Sequence, residues 1–192
     1  MSACPAPRCF IAAAFGLGAL PAAAEIRCVA NADLAIPATT EGLYINLLTG
    51  VSAPSEGGAP GFDFNPYAAA STTPADQLRF YWGQASTGNG GVVTSADSYA
   101  VLAPGATIGP EQPYSRAGIT GDVSAWQAGI AHGFLGVRFR NEQSGQLNYG
   151  WLVLSTASGL GFPVTLHGWC FDDTGAAAVI PADALFADDF ES

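Results

Sequence analysis

The chain contains, in close succession, the three runs GFLGVRFR (133–140), LNYGWLVLS (147–155) and VTLHGWCF (164–171). Each run alternates its side chains with a period of two, which is the pattern of a β-strand. The segments between them are short and rich in turn-forming residues, so they predict antiparallel hairpins, because a parallel crossover needs about a dozen residues or more. In the first run, Leu135, Val137 and Phe139 share one face. Arg138 and Arg140 share the other, which predicts one buried and one solvated side.

Shorter runs of the same kind occur along the rest of the chain, at 42–50, 78–83 and 177–180. Nothing in the sequence sustains the pattern of an amphipathic helix beyond two turns. Short strands at this spacing are typical of an all-β fold. We therefore predict an antiparallel two-layer β-sandwich, jelly-roll or lectin-like, with a closed β-barrel as the alternative.

The first 24 residues have the organisation of a secretory signal peptide. Arg8 precedes a 12-residue apolar run, which is followed by an Ala-x-Ala cleavage pattern at 22–24. The apolar run is too short to span a bilayer comfortably. We expect export by the Sec route to the cell surface or the medium, with the periplasm as an alternative, and no transmembrane segment in the mature chain. The mature chain would comprise one domain over 25–182 and a short acidic tail over 183–192.

The composition is strongly acidic. The sequence has 16 acidic residues, six arginines, no lysine and a net charge of −10. Such a chain gains nothing from counterion release on nucleic acid and is repelled by anionic lipid, so neither is an expected partner. The absence of lysine excludes a P-loop, a Schiff base and a Ser–Lys dyad.

Two of the four cysteines lie within the predicted leader, so the mature chain keeps Cys28 and Cys170. Two cysteines in an oxidising compartment usually form a disulfide. This bond would join the start of the domain to the end of the third strand. It would close a loop whose entropic contribution to stability is about 5 kcal/mol.

Several sequence segments resemble those of a group of secreted bacterial β-rich proteins. The most specific are the YGWL strand (149–152), the VTLHGW strand (164–169) and the LFADDFES ending (185–192), which is similar to F-x-D-G-F-E endings but has Asp189 in place of glycine. The resemblance covers most of 42–192. It implies secretion and a β-rich fold, and it brings no catalytic residue.

The supply of catalytic side chains is limited. His132 and His167 are the only histidines, so the sequence offers few of the ligands that a zinc site needs. A Ser–His–Asp triad containing His167 stays open, because such triads are recognised in space; the alternative is a half-buried histidine on a sheet face. Asp63 is the only acid within a predicted strand. It alternates with aromatic residues and is expected in solvent, which disfavours a glycosidase with two facing carboxylates.

Two acidic pairs suggest a weak calcium site. Asp172 and Asp173 follow the third strand, and Asp188 and Asp189 lie near the end of the chain. Carboxylate oxygens suit calcium, which takes six to eight oxygen ligands. Their spacing matches no calcium-binding loop, so no cofactor is predicted with a defined geometry.

Four tryptophans raise the question of sugar binding. Trp82 and Trp151 fall in the inward rows of predicted strands and are expected in the core. Trp126 lies in an irregular region and is the ring expected to be exposed and able to bind a ligand.

We expect a secreted, non-enzymatic protein of the cell surface, in adhesion, matrix or envelope structure, with a surface glycan or envelope component as partner. The alternatives are a carbohydrate-binding module and an extracellular hydrolase.

Overall fold

The computed structural model describes residues 25–83, 88–115 and 121–184, whose regular secondary structure is nearly all β-strand. The predicted leader and the last eight residues lie outside these ranges. The strands are β1 (Ile26–Val29), β2 (Leu34–Ile36), β3 (Tyr44–Ile45), β4 (Ser52–Ala53), β5 (Phe64–Ala69), β6 (Gln77–Trp82), β7 (Gly90–Val92), β8 (Thr107–Ile108), β9 (Tyr114–Ser115), β10 (Gly133–Arg140), β11 (Leu147–Ala157), β12 (Gly161–Asp172) and β13 (Ala178–Val179). A short α-helix, α1, spans Ser124–Gln127, and a single 3-10 turn spans Glu56–Gly58. No helix in the described ranges has the length and apolar character needed to cross a bilayer.

The largest sheet has the order β1-β12-β11-β10-β7-β9, with β2 also paired to β12. Its centre consists of the three strands predicted from the sequence, joined by two tight connections. Both pairs are antiparallel, with Leu135 opposite Leu152 and Trp151 opposite Cys170. The hairpin prediction is therefore confirmed, and the strands extend at most three residues beyond the predicted ends.

A second sheet, of order β4-β3-β5-β6, packs face to face with the large sheet. Phe64, Phe80 and Trp82 point from it into a core that also contains Leu135 and Leu152 of the large sheet. Alternation in β6 is regular, since its three inward side chains are buried and Tyr81 between them is exposed. The described strands form two packed open sheets, which confirms the all-β sandwich.

A third, two-stranded layer of β8 and β13 covers part of the opposite face of the large sheet. Ile108 and Ala178 pack there against Phe134 and Trp151. The prediction that β10 has one fully solvated face is therefore wrong. Only its end near Arg138 and Arg140 is partly open, because the small layer buries the half that contains Phe134.

The predicted disulfide is present between Cys28 and Cys170. The two residues lie directly opposite each other in the β1–β12 pair, with their Cα atoms 4.1 Å apart. The bond spans 142 residues of sequence. It therefore fixes the first strand to the central hairpin that the rest of the chain packs on.

The expectation that Asp63 lies in solvent is wrong. Its side chain is 0% exposed, because it precedes β5 and turns inward between the two sheets. Its carboxylate accepts hydrogen bonds from the Leu47 backbone N–H and the Asn89 side-chain amide, each at 2.8 Å. Asn89 in turn accepts a hydrogen bond from the backbone N–H of Arg140 in β10. Asp63 thus connects the second sheet to the large one.

Burial raises the pKa of Asp63 from 3.8 to about 8, and its two hydrogen bonds lower it only in part. A carboxyl group whose pKa is higher in the folded state stabilises the fold fully below the unfolded pKa and loses that contribution as pH rises through the folded pKa. We therefore expect the free energy of unfolding to fall between about pH 4 and pH 8 by a few kcal/mol. Urea unfolding measured across this pH range checks the expectation.

The matched variant for this measurement is Asp63→Asn, which cannot ionise. Its free energy of unfolding is expected to be lower at pH 4 by about 1–3 kcal/mol, because one of the two buried N–H donors loses its acceptor. The difference between the two proteins is expected to shrink as pH rises. A constant difference from pH 4 to pH 8 would show that Asp63 is ionised throughout.

Candidate functional site

A β-bulge places His167 on the surface of the large sheet. The pairing of β11 with β12 steps from Val153 opposite Gly168 to Leu154 opposite Leu166, so His167 is the extra residue. Leu166 and Trp169 on either side of it both point into the sandwich core. The bulge reverses the alternation between them. The side chain of His167 is therefore directed away from that core, as bulges beside functional sites often direct a side chain.

The segment between β1 and β2 crosses this bulge. The backbone N–H of Ala32 donates to the carbonyl oxygen of His167 at 2.8 Å, and Asn31 and Asp33 have positive φ angles of 52° and 42°. Asparagine and aspartate adopt this conformation more readily than most residues. A side chain at Gly168 would collide with the carbonyl oxygen of Val29, so only glycine permits this close approach.

Three side chains form a continuous hydrogen-bonded chain at the bulge. The Nδ1 atom of His167 lies 2.8 Å from Oδ1 of Asp33, and its Nε2 atom lies 2.8 Å from Oγ of Ser155. A carboxylate only accepts hydrogen bonds, so Nδ1 carries the proton and Nε2 accepts the Ser155 hydroxyl. This is the order and the tautomer of a Ser–His–Asp triad.

His132, the residue immediately before β10, also contacts Ser155 and His167. Its backbone N–H donates to the Ser155 oxygen at 3.1 Å. That bond occupies one lone pair of Ser155 and leaves the hydroxyl hydrogen for His167. The two imidazole rings stack, with their centroids 4.4 Å apart and an angle of 26° between their planes. Ser155 and the ring of His167 are therefore held from both neighbouring strands.

A cavity of about 330 Å³ opens beside this chain of hydrogen bonds. It is lined by His167, His132 and Asp33 of the arrangement itself, by Asn31, and by a group of mainly apolar residues: Val29, Ala30, Trp151, Val153, Gly168, Trp169 and Cys170. Clefts of this kind, apolar with a few convergent polar groups, are the usual form of small-molecule sites. We call this cavity the bulge cleft.

The prediction that Trp126 is exposed is wrong. Its side chain is 0% exposed and packs on Phe80, with ring centroids 5.9 Å apart. It lies in the short helix α1, which begins where the backbone N–H of Ser124 donates to the carboxylate of Asp122. This turn directs the ring into the core, so Trp126 offers no surface on which a sugar could stack. Trp82 and Trp151 are buried, as predicted.

The four aspartates of the predicted calcium site fall into two groups. Asp172 is buried, and its Oδ1 atom accepts hydrogen bonds from the backbone N–H groups of Thr174 and Ala176, so it shapes the turn after β12. Asp188 and Asp189 lie outside the described residues, and Asp173 is half-buried. Within the described ranges, no three His, Cys, Asp or Glu side chains converge as metal ligands would. The calcium site stays a prediction.

Comparison with protein-family models, with curated proteins and with solved structures found no match for the chain. The functional assignment therefore depends on the geometry of the bulge cleft.

The sequence drew attention to His167 but not to the two residues that it contacts. Ser155 is the last residue of a predicted strand, and Asp33 lies 134 positions from His167 in an irregular segment. Two local signals could have indicated the site. A glycine inside a strand, such as Gly168, often marks a bulge, and the Asn-Ala-Asp segment at 31–33 has residues that favour positive φ.

Proposed function

We propose that the protein is an extracytoplasmic hydrolase that uses Ser155 as nucleophile and His167 as general base. The observation that carries the proposal is the pair of 2.8 Å hydrogen bonds through His167, one to Ser155 and one to Asp33. A serine hydroxyl is a weak nucleophile until an adjacent base accepts its proton. The disulfide between Cys28 and Cys170 supports a location outside the reducing cytoplasm.

The geometry suits acyl transfer to water. The Oγ atom of Ser155 would attack the carbonyl carbon of an ester while its proton passes to Nε2 of His167. As the bond to the alcohol oxygen breaks, that proton passes to the departing alcohol and leaves an acyl group on Ser155. A water molecule then attacks the same carbon, with His167 again taking the proton. The bond between the acyl carbon and Oγ then breaks, and His167 returns the proton to Oγ, which releases the carboxylic acid and restores the Ser155 hydroxyl.

Asp33 and Asn31 have supporting roles in this proposal. Asp33 fixes the orientation and the tautomer of His167, but its side chain is 64% exposed. Solvent screens its charge, so it acts on the ring mainly through the hydrogen bond. Asn31 is the one amide side chain among the described residues of the lining, and we assign it as a donor to the negative charge that develops on the carbonyl oxygen.

A second function is favoured by the mixed lining of the same cleft. Trp151 supplies an aromatic wall, and Asn31 and Asp33 supply polar groups at the rim. Such a combination can bind a glycan or another envelope component without chemistry. The protein would then be a non-enzymatic binding domain of the cell surface, the function expected from the sequence alone. The reactivity of Ser155 separates the two proposals.

The direct test is labelling of the purified full-length protein with a fluorophosphonate, whose phosphorus is attacked by an activated serine with loss of fluoride. We expect one covalent adduct, located on Ser155 by peptide mass spectrometry, because among the described serines only Ser155 donates to an imidazole that is oriented by a carboxylate. Ser155→Ala is expected to abolish labelling.

Ser158→Ala is the matched control, since this exposed serine lies three residues away on the turn after β11. It is expected to label at the unaltered rate. Absence of any adduct on Ser155 in the folded protein would contradict the hydrolase and leave the binding domain as the function.

A further inference from the structure

The walls of the bulge cleft differ sharply between its floor and its rim. Trp151, Val153 and Cys170 form an apolar floor on the surface of β11 and β12, and Val29 lies beside them. Trp151 and Cys170 are buried in the second core, and Val153 packs partly against it. The polar residues of the cleft belong to the segment 31–33 and to the histidine pair. A ligand here would meet apolar surface on one side and polar groups at one end.

The apolar floor extends away from the nucleophile along β11. Trp151, Val153 and Ser155 are successive alternate residues, so all three side chains stand on the same face of the strand. At a rise of about 3.3 Å per residue, Ser155 and Trp151 lie about 13 Å apart along the strand, and the lining of the cleft begins at Val153, two residues from Ser155. A chain bound along this floor would therefore have its reacting end at Ser155 and its far end at Trp151.

The charge of the protein restricts what can enter. The chain has a net charge of −10, and the carboxylate of Asp33 stands at the cleft rim. Anionic groups are repelled by this field. Among the described residues that line the cleft, there is no arginine that could pair with a carboxylate or a phosphate. An uncharged chain fits the floor, and an uncharged alcohol fits the rim.

We propose that the bulge cleft accepts the apolar acyl chain of an uncharged carboxylic ester, with the carbonyl carbon at Ser155 and the chain along Val153 towards Trp151. This inference rests on the proposed hydrolase. It adds the substrate class, which the hydrogen-bonded residues alone do not define. Each methylene that leaves water for the floor is expected to raise kcat/KM about fourfold, until the chain passes the end of the cleft.

The experiment uses the purified full-length protein and the p-nitrophenyl esters of acetate, butyrate, octanoate and palmitate, with fluorophosphonate labelling of Ser155 measured in parallel. We expect kcat/KM to rise about sixteenfold from acetate to butyrate, since two methylenes are buried. A further rise is expected for octanoate. Palmitate is expected to gain nothing more, because its chain exceeds the floor.

The variant Val153→Phe probes the floor directly. Its side chain is half-buried and faces the cleft, so a larger residue fills the cavity and leaves the sandwich core untouched. It is expected to lower kcat/KM for octanoate more than tenfold and for acetate less than threefold, because the acetyl group does not reach residue 153. Val51→Phe, at an exposed valine immediately before β4, is the matched control and is expected to change neither.

The possible results distinguish failure of the acyl-cleft proposal from failure of the hydrolase proposal on which it rests. If Ser155 is labelled and the chain-length preference disappears in Val153→Phe, the acyl cleft is supported. If Ser155 is labelled but acetate and octanoate react equally, or Val153→Phe lowers both equally, the acyl cleft is wrong and the hydrolase stands. If Ser155 is not labelled and no ester is cleaved, the hydrolase fails and the acyl cleft fails with it.

Discussion

Replacement of His167 by alanine is expected to lower the rate of ester cleavage, and of Ser155 labelling, at least about a thousandfold. The hydroxyl of Ser155 would keep its bond from the backbone N–H of His132 but would lose the imidazole nitrogen that lies 2.8 Å from it. This loss lies in the chemical step, so kcat is expected to fall while KM changes little. Stopped-flow or steady-state assays with a p-nitrophenyl ester measure both constants.

Asp33→Asn provides the comparison that distinguishes orientation from structure. The asparagine side chain can still occupy the space, but its amide can present a donor to Nδ1 and favour the wrong tautomer. Because Asp33 is exposed and screened, we expect a smaller fall in kcat, of about ten- to a hundredfold. The midpoint of thermal unfolding of both variants is expected to stay within a few degrees of that of the parent protein.

Equal activity of His167→Ala and the parent protein would show that Ser155 is not activated by this histidine.

Removal of the disulfide by Cys28→Ser with Cys170→Ser is expected to lower the free energy of unfolding by about 2–5 kcal/mol. The bond closes a long loop in the unfolded chain, and it joins an edge strand of only four residues to the sheet centre. For a protein of this size the midpoint of thermal unfolding would fall by about 10 °C. Guanidinium unfolding of the double variant and of the oxidised parent measures the difference.

The same variant is expected to affect the site more than distant parts of the fold. β1 leads directly into the segment that contains Asp33, so fraying of β1 would release the hydrogen bond from Asp33 to His167. Hydrogen exchange is expected to increase in β1 and around the bulge before it increases in β6. Uniform exchange throughout the chain, or a stability loss below about 1 kcal/mol, would mean that backbone pairing alone holds β1.

The strands of the central hairpins were predictable because burial of one face imposes alternation on the sequence, and burial of both faces gives a short apolar run between turns. The disulfide was predictable because the expected mature chain keeps two cysteines, to which a single pairing is open. Trp126 and Asp63 were not placed correctly. Each lies just outside a regular element, where a turn decides the direction of the side chain and the period of two no longer applies.

The candidate site was only partly predictable. The alternation that identifies β12 assigns His167 to a face, but the bulge at Gly168 changes the face on which the neighbouring side chains stand. The partners of His167 come from β11 and from the segment before β2. Their meeting depends on the pairing register, which a one-residue shift would destroy by turning Ser155 to the other face.

The sequence by itself determined the period of the strands, the acidic charge and the cysteine pair, because each depends on the order and kind of residues alone. The tertiary structure decided which polar residues meet. Ser155, His167 and Asp33 are brought together by one extra residue in a strand and by two backbone angles that few residues adopt. Hydrogen bonds act over about 3 Å, so a triad exists only where the folded backbone sets those distances.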